Sequence, residues 1–299
     1  PGTPIIVAGN RDAYDELRAV FAGRDDVFYT RNVMPELNRL DLQPAREAIQ
    51  KVFLDRIIIA KGLGRLQSRA QVLMPTPVAV FKAVSLLSRG TSGEEGWGEL
   101  LAVDIGGATT DVYSCSDGAP RSPATVLKGL PEPFVKRTVE ADIGMRHTLK
   151  YLLEQAPADS LAQAAGLSPS SVAAWVRAVQ DRSDRLPQND TEHAIDAALA
   201  RAGCDIAIRR HCGLLRETYT PQGRVYVQEG KDLAGVRYVI GSGGPLAASR
   251  DPLRILDAAR RGADAFCLKP IAPGFRLDRR YILWAAGLLS EADPAAALK

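Results

Sequence analysis

No two cysteines of this sequence stand as a C-x-x-C pair; the four, at 115, 204, 212 and 267, are scattered. That argues against a disulfide framework or a zinc site and fits small packed thiols in a reducing cytosol, so the chain is expected to be cytoplasmic. No apolar run approaches the roughly 20 residues that a membrane span needs. Charge bias is slight: 38 Lys+Arg against 35 Asp+Glu leave +3. Such an excess points to neither nucleic acid nor a membrane surface as partner. There is no internal repeat of about 20–50 residues. An initiator Met and a signal peptide are also lacking. The chain opens Pro1-Gly2-Thr3-Pro4 and runs straight into Ile5-Ile6-Val7, which reads as a piece of a longer polypeptide. What is there is ordinary for a globular protein: 299 residues, 46% hydrophobic and 24% charged. Disorder, collagen and coiled coil are excluded, and two domains are the natural division.

The order of elements predicts an α/β fold. Ile5 to Gly9 reads as a strand, and Asn10 caps a helix carrying Ala13, Leu17, Val20 and Phe21, closed at Gly23. After Asp41-Leu42-Gln43-Pro44, a second helix puts Ala45, Ile49, Val52, Phe53 and Ile57 on one face, a buried stripe. A third follows Met74-Pro75-Thr76-Pro77 through Val78, Phe81, Val84 and Leu87. The Gly-rich stretch from Arg89 to Gly96 is the best internal boundary. Leu100 to Ile105 and Thr109 to Cys115 read as two strands, and the chain from about Gly144 to Tyr219 as mainly helical. Ser168-Pro169, Asp190 and Asp251-Pro252 are expected to cap helices. Further strands are predicted at Arg237–Ile240 and Ala265–Leu268, and a last helix around Tyr281 to Leu289.

The strongest chemical signal is Asp104-Ile105-Gly106-Gly107-Ala108-Thr109-Thr110-Asp111. If Gly107-Ala108 are the central turn residues, Asp104 lies directly opposite Asp111, with both carboxylates on one face about 5 Å apart at Cβ. Two like charges so placed need neutralising, and a hard divalent cation that keeps its waters does this well. Glycine backbone amides can cradle a phosphate, and Thr109 and Thr110 add hydroxyls. Together these suggest Mg²⁺ with a nucleotide. The competing reading is a plain hairpin whose aspartates support the turn.

Weaker signals follow. Val239-Ile240-Gly241-Ser242-Gly243-Gly244 is a strand ending in glycines, where bare backbone would let an adenine or ribose approach. Asp142, before Gly144, is either an N-cap or a pocket residue. Arg209-Arg210-His211 is either a phosphate or partner contact, or a solvated basic face. His147 and His193 read as surface or helix residues.

These motifs resemble the actin/Hsp70/sugar-kinase superfamily. The hairpin is similar to its second phosphate motif, and Gly241 to Gly244 to its adenosine motif. Other strings narrow the resemblance to the glutamate mutase accessory family of the MutL/GlmL type, unrelated to the mismatch-repair protein of similar name. They are Pro4 to Asn10, Val33 to Asn38, Pro44 to Ile49, Leu73 to Pro77, Gly129 to Pro133, Arg137 to Glu140 and Gly144 to Arg146. The resemblance implies an actin/Hsp70-like ATPase fold with two lobes. The first lobe, 1–97, would be incomplete at its N-terminus; 98–270 would be the nucleotide-binding lobe and 271–299 a C-terminal helical segment. It also implies ATP or ADP with Mg, and an adenosylcobalamin-dependent mutase as partner, from which related factors release damaged cobalamin. Carried over, Asp104 and Asp111 would hold Mg through water. Gly106, Gly107, Thr109 and Thr110 would contact phosphate, and Gly241, Ser242, Gly243 and Gly244 would border adenosine. Asp142 and Gly144 would close over the phosphates.

Two departures stand out. The superfamily's opening Asp-x-Gly phosphate motif is absent. The position before Pro75-Thr76, where chaperone-type members carry a water-positioning Glu, holds Met74. A thioether cannot polarise water, so any ATPase activity is expected to be slow. A nucleotide-dependent reactivating or assembling factor is the leading reading. A small-molecule kinase and a non-hydrolysing mutase-binding scaffold are the alternatives.

Overall fold

The computed structural model describes residues 3–60, 74–221 and 223–299, without the side chains of 57–60. Ile57 in the second-helix stripe and Leu73 in the Leu73 to Pro77 string therefore lie outside the described side chains and residues. The chain forms two compact units, Pro1–Pro75 and Thr76–Lys299.

In the first unit, strands β1 (Ile5–Val7) and β2 (Val27–Tyr29) pair in parallel, Ile6 beside Phe28. Between them Asn10 accepts the Asp12 amide and starts a turn that runs into helix α1 (Tyr14–Val20), as its side chain predicts. Helix α2 (Gln43–Ala60) follows. Its expected stripe is only half buried: Ala45 and Val52 are covered, whereas Ile49 and Phe53 are 55% and 46% exposed.

The second unit begins with helix α3 (Thr76–Arg89). The division thus falls before this helix and not after the Gly-rich stretch near 97, because α3 packs Val80, Ala83 and Val84 into the core of the second unit. Strands β3 (Leu100–Ile105), β4 (Thr110–Cys115), β5 (Thr125–Lys128) and β6 (Val135–Glu140) come next. Then follow helices α4 (Leu149–Gln155), α5 (Ala158–Ala165), α6 (Pro169–Asp181) and α7 (Asp190–His211). Ser168 caps α6 through the Ser171 amide; α7 is capped by Asn189, one residue before the expected Asp190. Strands β7 (Leu214–Thr220), β8 (Gly223–Glu229) and β9 (Tyr238–Ser242) lead to helices α8 (Gly244–Ala248) and α9 (Pro252–Leu256). Strand β10 (Gly274–Leu277) and helices α10 (Leu283–Leu289) and α11 (Pro294–Leu298) end the chain.

Five strands form the central sheet in the order β10-β9-β3-β4-β6. β4 runs antiparallel to both β3 and β6, while β9 lies parallel to both β3 and β10. Both faces are covered, so β3 reads as an unbroken apolar run from Leu100 to Val103. Leu101, Val103 and Ile105 enter one core with α6, α7 and α9. Leu100 and Ala102 enter the other with α3 and α10. There Gly287 of α10 meets α3 so closely that a Cβ would overlap the Ala79 carbonyl and lie 2.9 Å from its Cα.

Three expectations are corrected. Residues 214–220 are a strand, paired with β8 in a second, three-stranded sheet, where a helix was expected to continue. Just past the helix end, Gly213 presses on the backbone of Glu229 and Gly230, leaving no room for a Cβ. Ala265–Leu268 is not a strand; only Cys267 makes a lone bridge, to Leu214. The C-terminal segment is not purely helical, since β10 closes the edge of the sheet. No helix among the described residues is long and apolar enough to cross a membrane.

Candidate functional site

The predicted hairpin forms in the predicted register. Asp104 lies opposite Asp111 and Ile105 opposite Thr110, and the Gly106 amide donates to Thr109 O at 2.9 Å. Alternation along the strands puts Asp104 and Asp111 on the face that carries Leu100, Ala102 and Tyr113. Parallel pairing then sets Ser242 beside Asp104. The end of β10 adds Asp278, whose amide donates to Gly241 O at 2.8 Å. Three carboxylates and a serine thus line one end of four neighbouring strands.

The three carboxylates are not alike. Asp111 is 7% exposed and is held by Arg137 of β6, whose Nε and Nη2 lie 2.8 and 2.7 Å from Oδ1. Asp278 accepts the Ile282 and Leu283 amides at 2.9 and 3.1 Å. The Asp104 carboxylate has neither hydrogen bond nor ion pair to any described residue. Burial first, then Asp111 and Asp278, push its carboxyl up to about 6. An unpaired carboxylate between two others is a place for a cation. No group of three or more acidic, His or Cys side chains is close enough to ligate a metal directly among the described residues. A hydrated Mg²⁺ asks for less, one or two carboxylates plus waters and phosphate oxygens.

The turn above this row has the other half of the chemistry. Among the described residues the amides of Gly107, Ala108 and Thr109 meet no protein acceptor. Their carbonyls are turned away: Gly107 O accepts the Arg146 and His147 amides at 2.8 and 2.9 Å, and Ala108 O accepts Thr148 Oγ1 at 3.1 Å. Successive free amides in a turn make an anion-binding concavity. Gly144 comes to this turn as well; a Cβ there would overlap Ala108.

The glycine-rich strand end meets the hairpin directly. Gly243, at φ 102°, comes so close that a Cβ would overlap Ile105 O and lie 2.8 Å from Asp104 Oδ1. Ser242 Oγ is 3.4 Å from Asp278. Gly244 is exposed beneath the Tyr281 hydroxyl. Tyr281 itself holds a left-handed backbone, φ 53°. Burial, Asp104 and Asp278 push its hydroxyl above the ordinary range.

Other expected residues fall elsewhere. Thr110 is buried on the opposite face from Asp111, and Gly241 faces Leu246 and Leu256 in the core. Thr109 does reach the carboxylates, its Oγ1 3.4 Å from Asp111 Oδ2. Asp142 is no N-cap: Arg210 of α7 grips it at 2.8 and 2.9 Å and holds its carboxyl down to about 2. Of Arg209-Arg210-His211, the two arginines are exposed but ion-paired, and only the histidine leaves the solvated face. Arg209 pairs with Asp205 and Asp264, Arg210 with Glu140 and Asp142. His211 is wholly buried between Ser114 Oγ and Thr138 Oγ1, each 2.8 Å away. Asp278, Arg137 and Tyr281 were missed as site residues.

Comparison with known proteins bears out the family resemblance. A family model described as "MutL protein" matches residues 2–299. The chain is 44% identical over 300 residues to "Protein MutL" of Clostridium tetanomorphum, covering 99% of this chain and 65% of that protein. It therefore spans just under two thirds of that relative's length. With a match along nearly its whole length, the chain belongs to the MutL protein family.

Proposed function

We propose that the hairpin Asp104–Asp111 and the strand end Ser242–Gly244 bind a Mg-nucleotide, in an actin/Hsp70-like lobe. The observation that carries this is the pairing of three free amides, at Gly107, Ala108 and Thr109, with the unpartnered carboxylate of Asp104 below them. The amides would hold phosphate oxygens, and Gly106 lets the turn close tightly. Asp104 would hold the cation through water, with Asp111 kept in place by Arg137. Gly243 and Gly244, beneath Tyr281, would border the nucleoside. When bound, Mg²⁺ would neutralise phosphate charge. A sheet covered on both faces, with the phosphate hairpin at its centre, supports the lobe assignment.

In this reading the whole protein is a cytoplasmic, chaperone-like accessory factor. It uses nucleotide to reactivate or assemble an adenosylcobalamin-dependent mutase such as glutamate mutase, the partner to which family membership points. Met74 favours a second possibility, binding without appreciable hydrolysis, in which the chain is a nucleotide-sensitive scaffold.

Calorimetric titration of Mg-ATP tests the site. Binding to the wild type, lost in the Asp104→Asn/Asp111→Asn double variant while its circular dichroism is kept, is the expected outcome. Absence of binding to this chain, or equal binding to the variant, removes nucleotide from the proposal.

A further inference from the structure

Cys212 and Cys267, 55 residues apart in sequence, place their sulfurs 3.5 Å from each other. Cys212 ends α7 as its C-cap, and Cys267 sits in the turn before Lys269. The backbone around them is stitched across: Leu268 N donates to Gly213 O at 2.9 Å, and Leu215 N to Phe266 O at 2.8 Å. The two thiols therefore face each other in a fixed frame. A disulfide of about 2.05 Å asks only for a closing movement of about 1.5 Å.

The surroundings suit oxidation. Cys212 and Cys267 are buried, at 7% and 2% exposed, next to residues that reach the surface, Phe266 and Leu214 at 43% and 41%. Arg209 on the last turn of α7 and Lys269 supply positive charge. Either sulfur can donate across the pair, and Cys212 Sγ also reaches Arg209 O at 3.5 Å; contact with Cys212, then Lys269 and Arg209, lower the Cys267 thiol. The remaining pair, Cys115 and Cys204, are buried with no thiol neighbour: Cys115 Sγ faces Val84 O at 3.6 Å, and burial raises both thiols.

From this geometry we infer that Cys212 and Cys267 form a reversible dithiol–disulfide couple, closed by a hydroperoxide and reopened by a low-molecular-weight thiol. In the first step the Cys267 thiolate attacks one peroxide oxygen; the O–O bond breaks, leaving a sulfenic acid and hydroxide. Cys212 sulfur then attacks the Cys267 sulfur. The S–S bond forms, the S–O bond breaks, and the hydroxyl leaves with the Cys212 proton as water. Two thiols and one hydrogen peroxide become one disulfide and two waters; the sulfurs give up the two electrons that the peroxide takes. Two external thiols reverse the reaction by exchange. The bond would fasten the end of α7, which carries His211, to the turn at 265–268.

The test uses the reduced wild-type chain, equimolar hydrogen peroxide and peptide mass mapping after alkylation. A crosslink between the peptides holding Cys212 and Cys267 is expected, with these thiols lost about tenfold faster than Cys115 and Cys204. Dithiothreitol should return them. Cys212→Ser should leave a sulfenic acid at Cys267 that dimedone traps. Equal loss of all four thiols, or a crosslink seen only after denaturation, would overturn the inference. Because Cys115 and Cys204 serve as references within the wild type, this holds even if a variant fails to fold.

Discussion

Arg137 takes hold of Asp111 through two nitrogens on one carboxylate oxygen, at 2.8 and 2.7 Å, from the strand next door. Asp104, its cross-strand neighbour, has no such cation. The sheet therefore neutralises one member of a like-charged pair and leaves the other in deficit. That asymmetry is what a site awaiting an outside cation requires, and it has a measurable cost.

With its folded pKa raised from 3.8 to about 6, Asp104 binds a proton more tightly in the folded state. Stability falls as pH rises from about 4 to 6 and stays reduced above that, by roughly 3 kcal/mol. Asp104→Asn should therefore raise the thermal midpoint of the metal-free chain at pH 8. The gain should vanish near pH 4, and the variant should lose Mg-ATP binding. Thermal denaturation of both proteins across this range checks it; a variant no more stable at pH 8 contradicts the argument.

His211 works in the opposite direction. Burial, then Lys136 and Lys231, hold its pKa well below 6.5. The unfolded chain takes up a proton that the folded chain refuses, so stability is complete above about 6.5 and is lost as pH falls below it. His211→Gln should flatten this acid limb, at a constant cost of about 2 kcal/mol for the two side-chain hydrogen bonds. Urea midpoints at pH 7.5 and 5.5 separate the two effects: the wild type drops between them by more than the variant does.

Alanine is a better helix former than glycine by about 1 kcal/mol. At Gly287 the sign reverses, because the added methyl would overlap the Ala79 carbonyl. Overpacking of this kind costs about 3 kcal/mol, so Gly287→Ala should be destabilising by about 2 kcal/mol net. Chemical denaturation reads this directly, and a stabilised variant would mean that α3 and α10 separate easily.

The hairpin was legible in the sequence because a two-residue turn fixes its own register: once Gly107-Ala108 turn, Asp104 must face Asp111. The glycine strand end was legible as a motif, but not its contact with Asp104, which depends on β9 lying beside β3. Arg137 and Asp278 were hidden for the same reason. Each reaches the site through a sheet partner far away in sequence, and neither is marked as a site residue by its own neighbours. In Arg209-Arg210-His211 the exposed arginines were legible and the buried imidazole was not, because consecutive residues on a helix face different ways. The β7–β8 hairpin was missed; Gly213, at the entry to β7, packs against Gly230, a contact that no short window contains.

Asp104 and Asp111 stand on the same alternation that sends Leu100, Ala102 and Tyr113 beneath α3 and α10. A single residue inserted or removed within β3 would turn the carboxylate toward the α7 side and Leu101 and Val103 to the other. Reading frame in the sheet and chemistry at its end are thus one specification. A copy of this chain that has folded at all has already checked that its charges point the right way.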